Sequence, residues 1–423
     1  MRYDIPAYVK TACSAWGARG VAAGCRLCIV FILLRFLAEK EYAALAILGG
    51  LEGWFLLLDF GVGASLQNTL VERRAKGLSD SGLLKTALVL GICSFVVGIL
   101  FLWGFGTTLT VFFLDKIAFA SLEKMRVLLW VNSFFLLMGT FGSLAGKVLL
   151  AKQKGFVFYL FQGLASIFSL VVLLVGAFFG EISVLFASCC LFGLPGFISL
   201  LCAIWVFSGV SWKEKMCWEI VARAKNFFLF SLLASFVTLS DALIIPLVLQ
   251  TREIIEYNLL CKIFGVASFF YSAFLQSFWP QCGEYLTLSL FTRVERLIRR
   301  FCFIGIIGTG VFTLGVLVFS SVIAHVFMVS LSGAWIVLFG FYLSIRVVAD
   351  FYAMALQSMS HLRPFFFLVP IQAVLSVGLQ YFLSRFLGIG GILLGLSLSY
   401  LATVFWALPK EMRLLQKTAQ GIV

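Results

Sequence analysis

The chain has 423 residues, of which 62% are hydrophobic and 12% charged, with a net charge of +13. A soluble domain is about 45–50% apolar and about a quarter charged, so an ordinary cytosolic enzyme is excluded. A mean hydropathy of +1.08 places most of the chain in lipid, which leaves little water-facing surface to carry the basic excess.

A hydrocarbon core of about 30 Å takes roughly 20 apolar helical residues to cross. In chain order, twelve spans are expected over 11–37, 42–67, 87–113, 127–151, 156–179, 182–208, 226–249, 256–280, 301–328, 333–357, 364–388 and 390–408. Runs this long and continuous exclude a barrel, whose strands alternate over about ten residues. The expected fold is an all-α polytopic membrane protein, with two parallel six-helix halves around a central cavity. Its parts are 1–208, a connecting loop at 209–225, and 226–423 with a short tail. A shift of 215 residues lays Glu41, Tyr42, Leu45, Gly50, Leu51, Trp54 and Phe55 over Glu256, Tyr257, Leu260, Gly265, Val266, Phe269 and Phe270. Span two then falls on span eight, as a parallel duplication requires.

Twelve spans put both termini on one side. The termini and the loops on their side carry 20 Lys/Arg, against five (Lys40, Lys116, Lys124, Arg126 and Arg252) on the other. Both termini are therefore expected in the cytoplasm, with the basic surface facing anionic phospholipid headgroups rather than nucleic acid. No cleavable signal peptide is evident, because the first apolar run is too long and lacks an A-x-A-like site. The eleven cysteines, the Cys25/Cys28 pair included, read as small apolar residues rather than a disulfide framework or a zinc site. No phosphate loop, H-E-x-x-H or G-x-S-x-G motif is present, so no cofactor is expected. Outer connections this short also argue against an enzyme.

Ionisable groups inside a membrane cost several kcal/mol unless they face a partner or a wet cavity. The spans hold Arg19, Arg26, Arg35, Lys147, Lys262, Arg346 and Arg385 against Glu52, Asp59, Asp241 and Asp350. Spans one and two run antiparallel, and each puts its two charges seven residues apart on one helical face. Arg19 is then level with Asp59, and Arg26 with Glu52. Such pairs serve either as static packing links or as a gate that exchanges partners, and the sequence leaves both open. Asp241 and Lys262 lie at similar depth, and Arg346 and Asp350 are one turn apart. Arg35, Lys147 and Arg385 lie near span ends, where long side chains reach the interface. The interior excess of three positive charges points to an anion, phosphate above all. Gly61, Gly63 and Gly139 read as close-packing positions, and Trp279-Pro280 and Pro195 as kink or interface features. The stretch 281–300, with Leu297 and Ile298 amid Arg293, Arg296, Arg299 and Arg300, reads as an amphipathic interfacial helix.

The run from Glu41 to Glu72 carries Tyr42, Leu45, Gly50, Leu51, Trp54, Phe55, Leu58, Asp59, Gly61, Gly63, Leu66, Gln67 and Asn68. It resembles the second span of bacterial Wzx-type O-antigen translocases of the multidrug/oligosaccharidyl-lipid/polysaccharide (MOP) superfamily. The loop NTLVERRAKG lacks the D-[RK]-x-G pattern of major-facilitator transporters. The resemblance implies a flippase of the bacterial inner membrane. It would move a polyprenyl-diphosphate-linked oligosaccharide to the outer leaflet by alternating access around a cationic cavity. A coupling ion (H+ or Na+) and polysaccharide-assembly proteins are the further partners implied. It makes Arg19, Arg26, Lys147, Lys262 and Arg346 contacts for the anionic substrate, with Glu52, Asp59, Asp241 and Asp350 left for gating or ion coupling. The alternative is an ion-coupled small-molecule or multidrug exporter of the same superfamily.

Overall fold

In lipid the backbone has no partner but itself, and all twelve expected spans are helical. The computed structural model describes the backbone of residues 7–75, 77–152, 154–180, 182–287, 291–358, 361 and 363–419. Their side chains are described except at 7–16, 71, 72, 74, 75, 269, 270, 272–274, 276–281, 283–287, 358, 418 and 419. The first six spans are α1 (Ala7–Phe36), α2 (Glu39–Gly50) with α3 (Glu52–Leu56) and α4 (Val62–Ala75), α5 (Ser81–Leu114), α6 (Leu122–Ala151), α7 (Gly155–Phe178), and α8 (Val184–Ser188) with α9 (Leu194–Phe207). The second six begin with α10 (Glu219–Thr238) and α11 (Asp241–Val248), followed by α12 (Thr251–Thr287). Then come α13 (Phe291–Val318) with α14 (Ser320–Phe327), α15 (Gly333–Ser358), α16 (Arg363–Leu387), and α17 (Ile389–Ala402) with α18 (Val404–Ala419). Among the described residues, eleven segments are long and apolar enough to cross a membrane. The remaining expected span, 256–280, lies within the continuous helix α12.

The chain forms two units, Met1–Ser235 and Phe236–Val423. In the first, α7 packs on α1, α6 on both α4 and α5, and α9 on both α6 and α7. In the second, α16 packs on α11, α15 on both α12 and α13, and α17 on both α15 and α16. Span for span these are the same five pairings, so one six-helix plan is built twice. Helix α2 starts at 39 and α12 at 251, a spacing of 212. In each start a glutamate accepts a backbone N–H three residues back: Glu41 from Ala38 at 3.2 Å and Glu253 from Gln250 at 2.9 Å. The helix starts thus repeat three residues short of the register read from side-chain likeness. More than half of the α6 span is buried, whereas the outward helices α5 and α13 bury a quarter or less. Beyond Arg300 in α13, and along α5 after Lys85, these helices carry no charge on any face, as lipid-facing helices require.

One expected helix is two. The span 42–67 is interrupted at Phe60–Gly61, where φ is +50° and +74°. A helix break at this depth frees backbone groups that lipid leaves unpaired. Here side chains take them up. Ser94 of α5 donates its hydroxyl to the Leu58 carbonyl, and Thr140 of α6 donates to the Phe55 carbonyl at 3.0 Å. The Asp59 carboxylate accepts the N–H groups of Gly61 at 2.7 Å and Gly63 at 3.2 Å, capping the start of α4. Gly61 is therefore a left-handed turn residue as well as the close-packing position expected of it. A Cβ there would lie 2.4 Å from the Ala224 carbonyl and 2.6 Å from the Phe228 nitrogen of α10. Gly139 has open space around it instead of a close neighbour. Close packing of the kind expected of small residues is found at Gly391 and Gly395, where a Cβ would meet α16 backbone at 2.3 Å and 2.6 Å.

The first span of the second half is likewise interrupted, at Leu239–Ser240. Ser376 donates to the Val237 carbonyl at 3.4 Å, and Gln380 Nε2 donates to Ser240 Oγ at 2.7 Å. Trp279-Pro280 lies outside the described side chains, as do residues 288–290. Helix α13 bears out the amphipathic reading from Phe291 onward. Val294 and Ile298 are fully buried, Leu297 is half-buried, and Arg293, Arg296, Arg299 and Arg300 are exposed.

Candidate functional site

In the second unit, Tyr342, Arg346 and Asp350 follow one another at four-residue intervals on α15 and so share one face. Arg346 Nε donates to Asp350 Oδ2 at 3.3 Å and Nη1 donates to the Tyr342 hydroxyl at 3.4 Å. From α12, Tyr271 donates its hydroxyl to the same Asp350 oxygen. Tyr400 of α17 meets Tyr342 edge to face, with ring centroids 5.9 Å apart. On α11, Asp241 accepts the Tyr257 hydroxyl at 2.6 Å and its neighbour's Ala242 N–H at 2.9 Å. Asp241 lies within electrostatic reach of Arg346. Four helices thus bring two carboxylates, one guanidinium and four tyrosines into one polar cluster. Arg346 and Asp350 keep about a third and a quarter of their side chains exposed, whereas Tyr257, Tyr342 and Tyr400 are buried. Lys262, on α12, is half-buried.

In the first unit the charges are more spread. Asp59 sits at the break before α4, with its carboxylate turned onto Gly61 and Gly63. Lys147 of α6 reaches the same place: a Cβ at residue 63 would lie 2.7 Å from Asp59 Oδ2 and 3.4 Å from Lys147 Cγ. A small cavity beside them is lined by Leu58, Asp59, Ser94, Leu137, Thr140 and Leu144, among others. Arg19 of α1 lies over the Tyr159 ring of α7 at 5.5 Å, a cation–π contact. Arg26 and Glu52 are exposed.

No protein-family model matches the chain. Curated relatives do. A protein named for O-antigen export in Yersinia pseudotuberculosis is 32% identical over 97% of this chain and 96% of its own length. The chain belongs to the O-antigen transporter family. One relative named for O-antigen transport in Salmonella typhimurium is 32% identical, and another in Salmonella typhi is 31% identical, each over 96% of both chains. In fold, the chain is similar to an inward-facing multidrug resistance MATE family transporter of the MOP superfamily. The TM-score is 0.76 at 13% identity, covering 94% of this chain and 96% of that one. It is also similar to the lipid II flippase MurJ in an inward closed conformation, with a TM-score of 0.67 at 11% identity, covering 94% and 86%. The protein is a multi-pass membrane transporter, not an enzyme.

Within this family member, the level pairs expected between spans one and two are not ion-paired. Among the described residues no ion pair joins Arg19 to Asp59 or Arg26 to Glu52. The reason is packing: α1 lies mainly against α7 and only lightly against α2, so Arg19 turns to Tyr159. Asp59 meanwhile is used where the helix breaks. The pairing of Arg346 with Asp350 is as the spacing implied. Arg35 and Arg385 are exposed, each over an aromatic ring one turn back, Phe31 and Tyr381. The tyrosines around Arg346 were not singled out from sequence. Only Tyr342 carried a signal, in its four-residue spacing from Arg346 and Asp350; the others come from α12 and α17.

Proposed function

We propose that this transporter flips a polyprenyl-diphosphate-linked oligosaccharide from the cytoplasmic to the outer leaflet of the bacterial inner membrane. The observation that carries this is full-length kinship, at 31–32% identity, with proteins named for O-antigen export and transport. Both termini lie in the cytoplasm, on the strength of the basic excess on that side. Movement is by alternating access. Arg19, Arg26, Lys147, Lys262 and Arg346 draw the diphosphate and acidic sugars into a cationic path, because unscreened Coulomb attraction favours an anion there. Glu52, Asp59, Asp241 and Asp350 serve the gate or a coupling ion, H+ or Na+. Polysaccharide-assembly proteins receive the product. The polar cluster around Arg346 supports this division of labour: it brings one arginine together with two carboxylates, Asp350 of α15 and Asp241 of α11, within spanning helices.

The deciding experiment places purified protein in vesicles with a defined polyprenyl-diphosphate-linked oligosaccharide on one leaflet. Protein-dependent appearance of the sugar on the opposite leaflet, read by an impermeant lectin, is the expected result. A glycolipid that stays put while a small organic cation is exported against its gradient replaces this reading with the multidrug one.

A further inference from the structure

Loop 209–225 joins the twin six-helix sequences, yet its backbone is fastened to the first unit at several points. Lys85 Nζ donates to the Trp212 carbonyl at 2.6 Å and the Glu214 carbonyl at 2.9 Å. Its ammonium also lies 5.9 Å from the Trp212 ring centroid. Thr86 Oγ1 accepts the Cys217 N–H at 2.7 Å. Gly82 lets the loop approach so closely that a Cβ there would lie 2.4 Å from the Lys215 carbonyl. Arg73 donates to Cys217 Sγ at 2.9 Å and faces Glu219 at 3.7 Å, and Ser65 donates to the Ile220 carbonyl at 2.9 Å.

Backbone fixed inward leaves the side chains outward. Trp212 and Trp218 are each 62% exposed, and Lys213, Lys215 and Lys225 are exposed with them. Glu219 is engaged by Arg223 at 3.0 Å and by Arg73, so it offsets little of this charge; the exposed Glu214 between Lys213 and Lys215 offsets one of the three lysines and leaves the patch net basic. The platform stands where α9 ends and α10 begins, at the level where spanning helices leave the hydrocarbon. Indole rings settle at that level, and lysines there attract anionic headgroups within about a Debye length.

We infer that this fastened loop is a binding platform for anionic phospholipid headgroups, with Trp212 and Trp218 seated among the acyl–headgroup boundary and Lys213 and Lys215 on the phosphates. It is separate from the charged clusters proposed for transport. The fastening matters because a loose loop would lose conformational freedom on binding, whereas this one has already lost it.

The test uses purified full-length protein in neutral detergent, with fluorescent phosphatidylglycerol as probe and fluorescent phosphatidylcholine as comparison. The protein is expected to prefer phosphatidylglycerol, and salt is expected to weaken that preference. In the K213Q/K215Q variant the preference is expected to fall about tenfold at low salt. In K85M it is expected to fall as well, although both lysines of the loop remain. Retention of the full preference by K213Q/K215Q overturns the proposal. So does displacement of the probe by a polyprenyl diphosphate at far lower concentration than by phosphatidylglycerol, which would make the platform a substrate site. Lys213 and Lys215 side chains take no part in fastening the loop, so their variant remains a test even if K85M does not fold.

Discussion

Arg346 and Asp350 are bonded one turn apart on α15, and the carboxylate oxygen that holds the guanidinium also accepts the Tyr271 hydroxyl from α12. The pair therefore ties two helices through one acid. Asp350→Asn leaves a half-buried guanidinium without its counter-charge, at a cost of about 2 kcal/mol. Replacing both residues, as R346Q/D350N, is expected to recover most of that loss. Thermal unfolding in detergent of R346Q, D350N and R346Q/D350N measures the coupling, and additive losses would show the pair to be unlinked.

The break at Phe60–Gly61 separates two kinds of glycine cost. Gly77 is left-handed with φ +66° but has open space around it. Gly77→Ala should therefore cost only about 1 kcal/mol of backbone strain. Gly61→Ala adds a collision with α10 backbone to the same strain and is expected to cost more than about 3 kcal/mol. Gly139→Ala, inside α6 with nothing near its Cβ position, should be neutral or stabilise by up to about 1 kcal/mol. Unfolding midpoints for the three variants rank them directly.

Side-chain hydrogen bonds at the two helix breaks make a further prediction. Ser94→Ala and Thr140→Val each orphan a backbone oxygen in the first unit, and Gln380→Leu removes the donor to Ser240 in the second. Each is expected to destabilise by about 1–2 kcal/mol. Ser166→Ala, an exposed hydroxyl bonded only within its own helix, is the control and should change little.

The membrane cations separate transport from folding. Arg26 is exposed, so Arg26→Ala is expected to leave the unfolding midpoint unchanged while reducing delivery of surface glycan in cells. Arg19→Ala gives up its contact with Tyr159 and is expected to cost about 0.5–1 kcal/mol in addition. Normal surface glycan in both variants at native expression would remove these residues from the proposed path.

Much of this molecule was legible in its sequence because lipid imposes long apolar helices. The twelve segments needed only hydropathy and length, the duplicated plan needed the side-chain likeness at a shift of 215 residues, and Arg346 with Asp350 needed only helical spacing. What was hidden depends on partners distant in the chain. Asp59 read as a salt-bridge residue because a straight span two was assumed. Its actual role comes from the left-handed turn beside it, and that turn is accommodated by Ala224 and Phe228, some 160 residues later. Likewise, level pairing of Arg19 with Asp59 assumed that sequence neighbours pack together, whereas α1 packs mainly on α7 and Arg19 lies over Tyr159 there. Hydroxyls such as those of Ser94 and Thr140 carry no sequence signal, since their acceptors exist only once a helix has broken.

The fastened loop also bears on how the gene can be cut. Ile220 and Ala224, in the first turns of α10 where the loop segment ends, are packed into the same apolar cluster as Leu66, Leu70 and Leu83. A stop codon after residue 208 would deprive the amino-terminal polypeptide of these closing side chains and of the acceptor for Ser65. Placed after Ser235, it would leave them in position. Two separately translated half-genes are therefore expected to complement one another only when the upstream one runs well into the first helix of its neighbour.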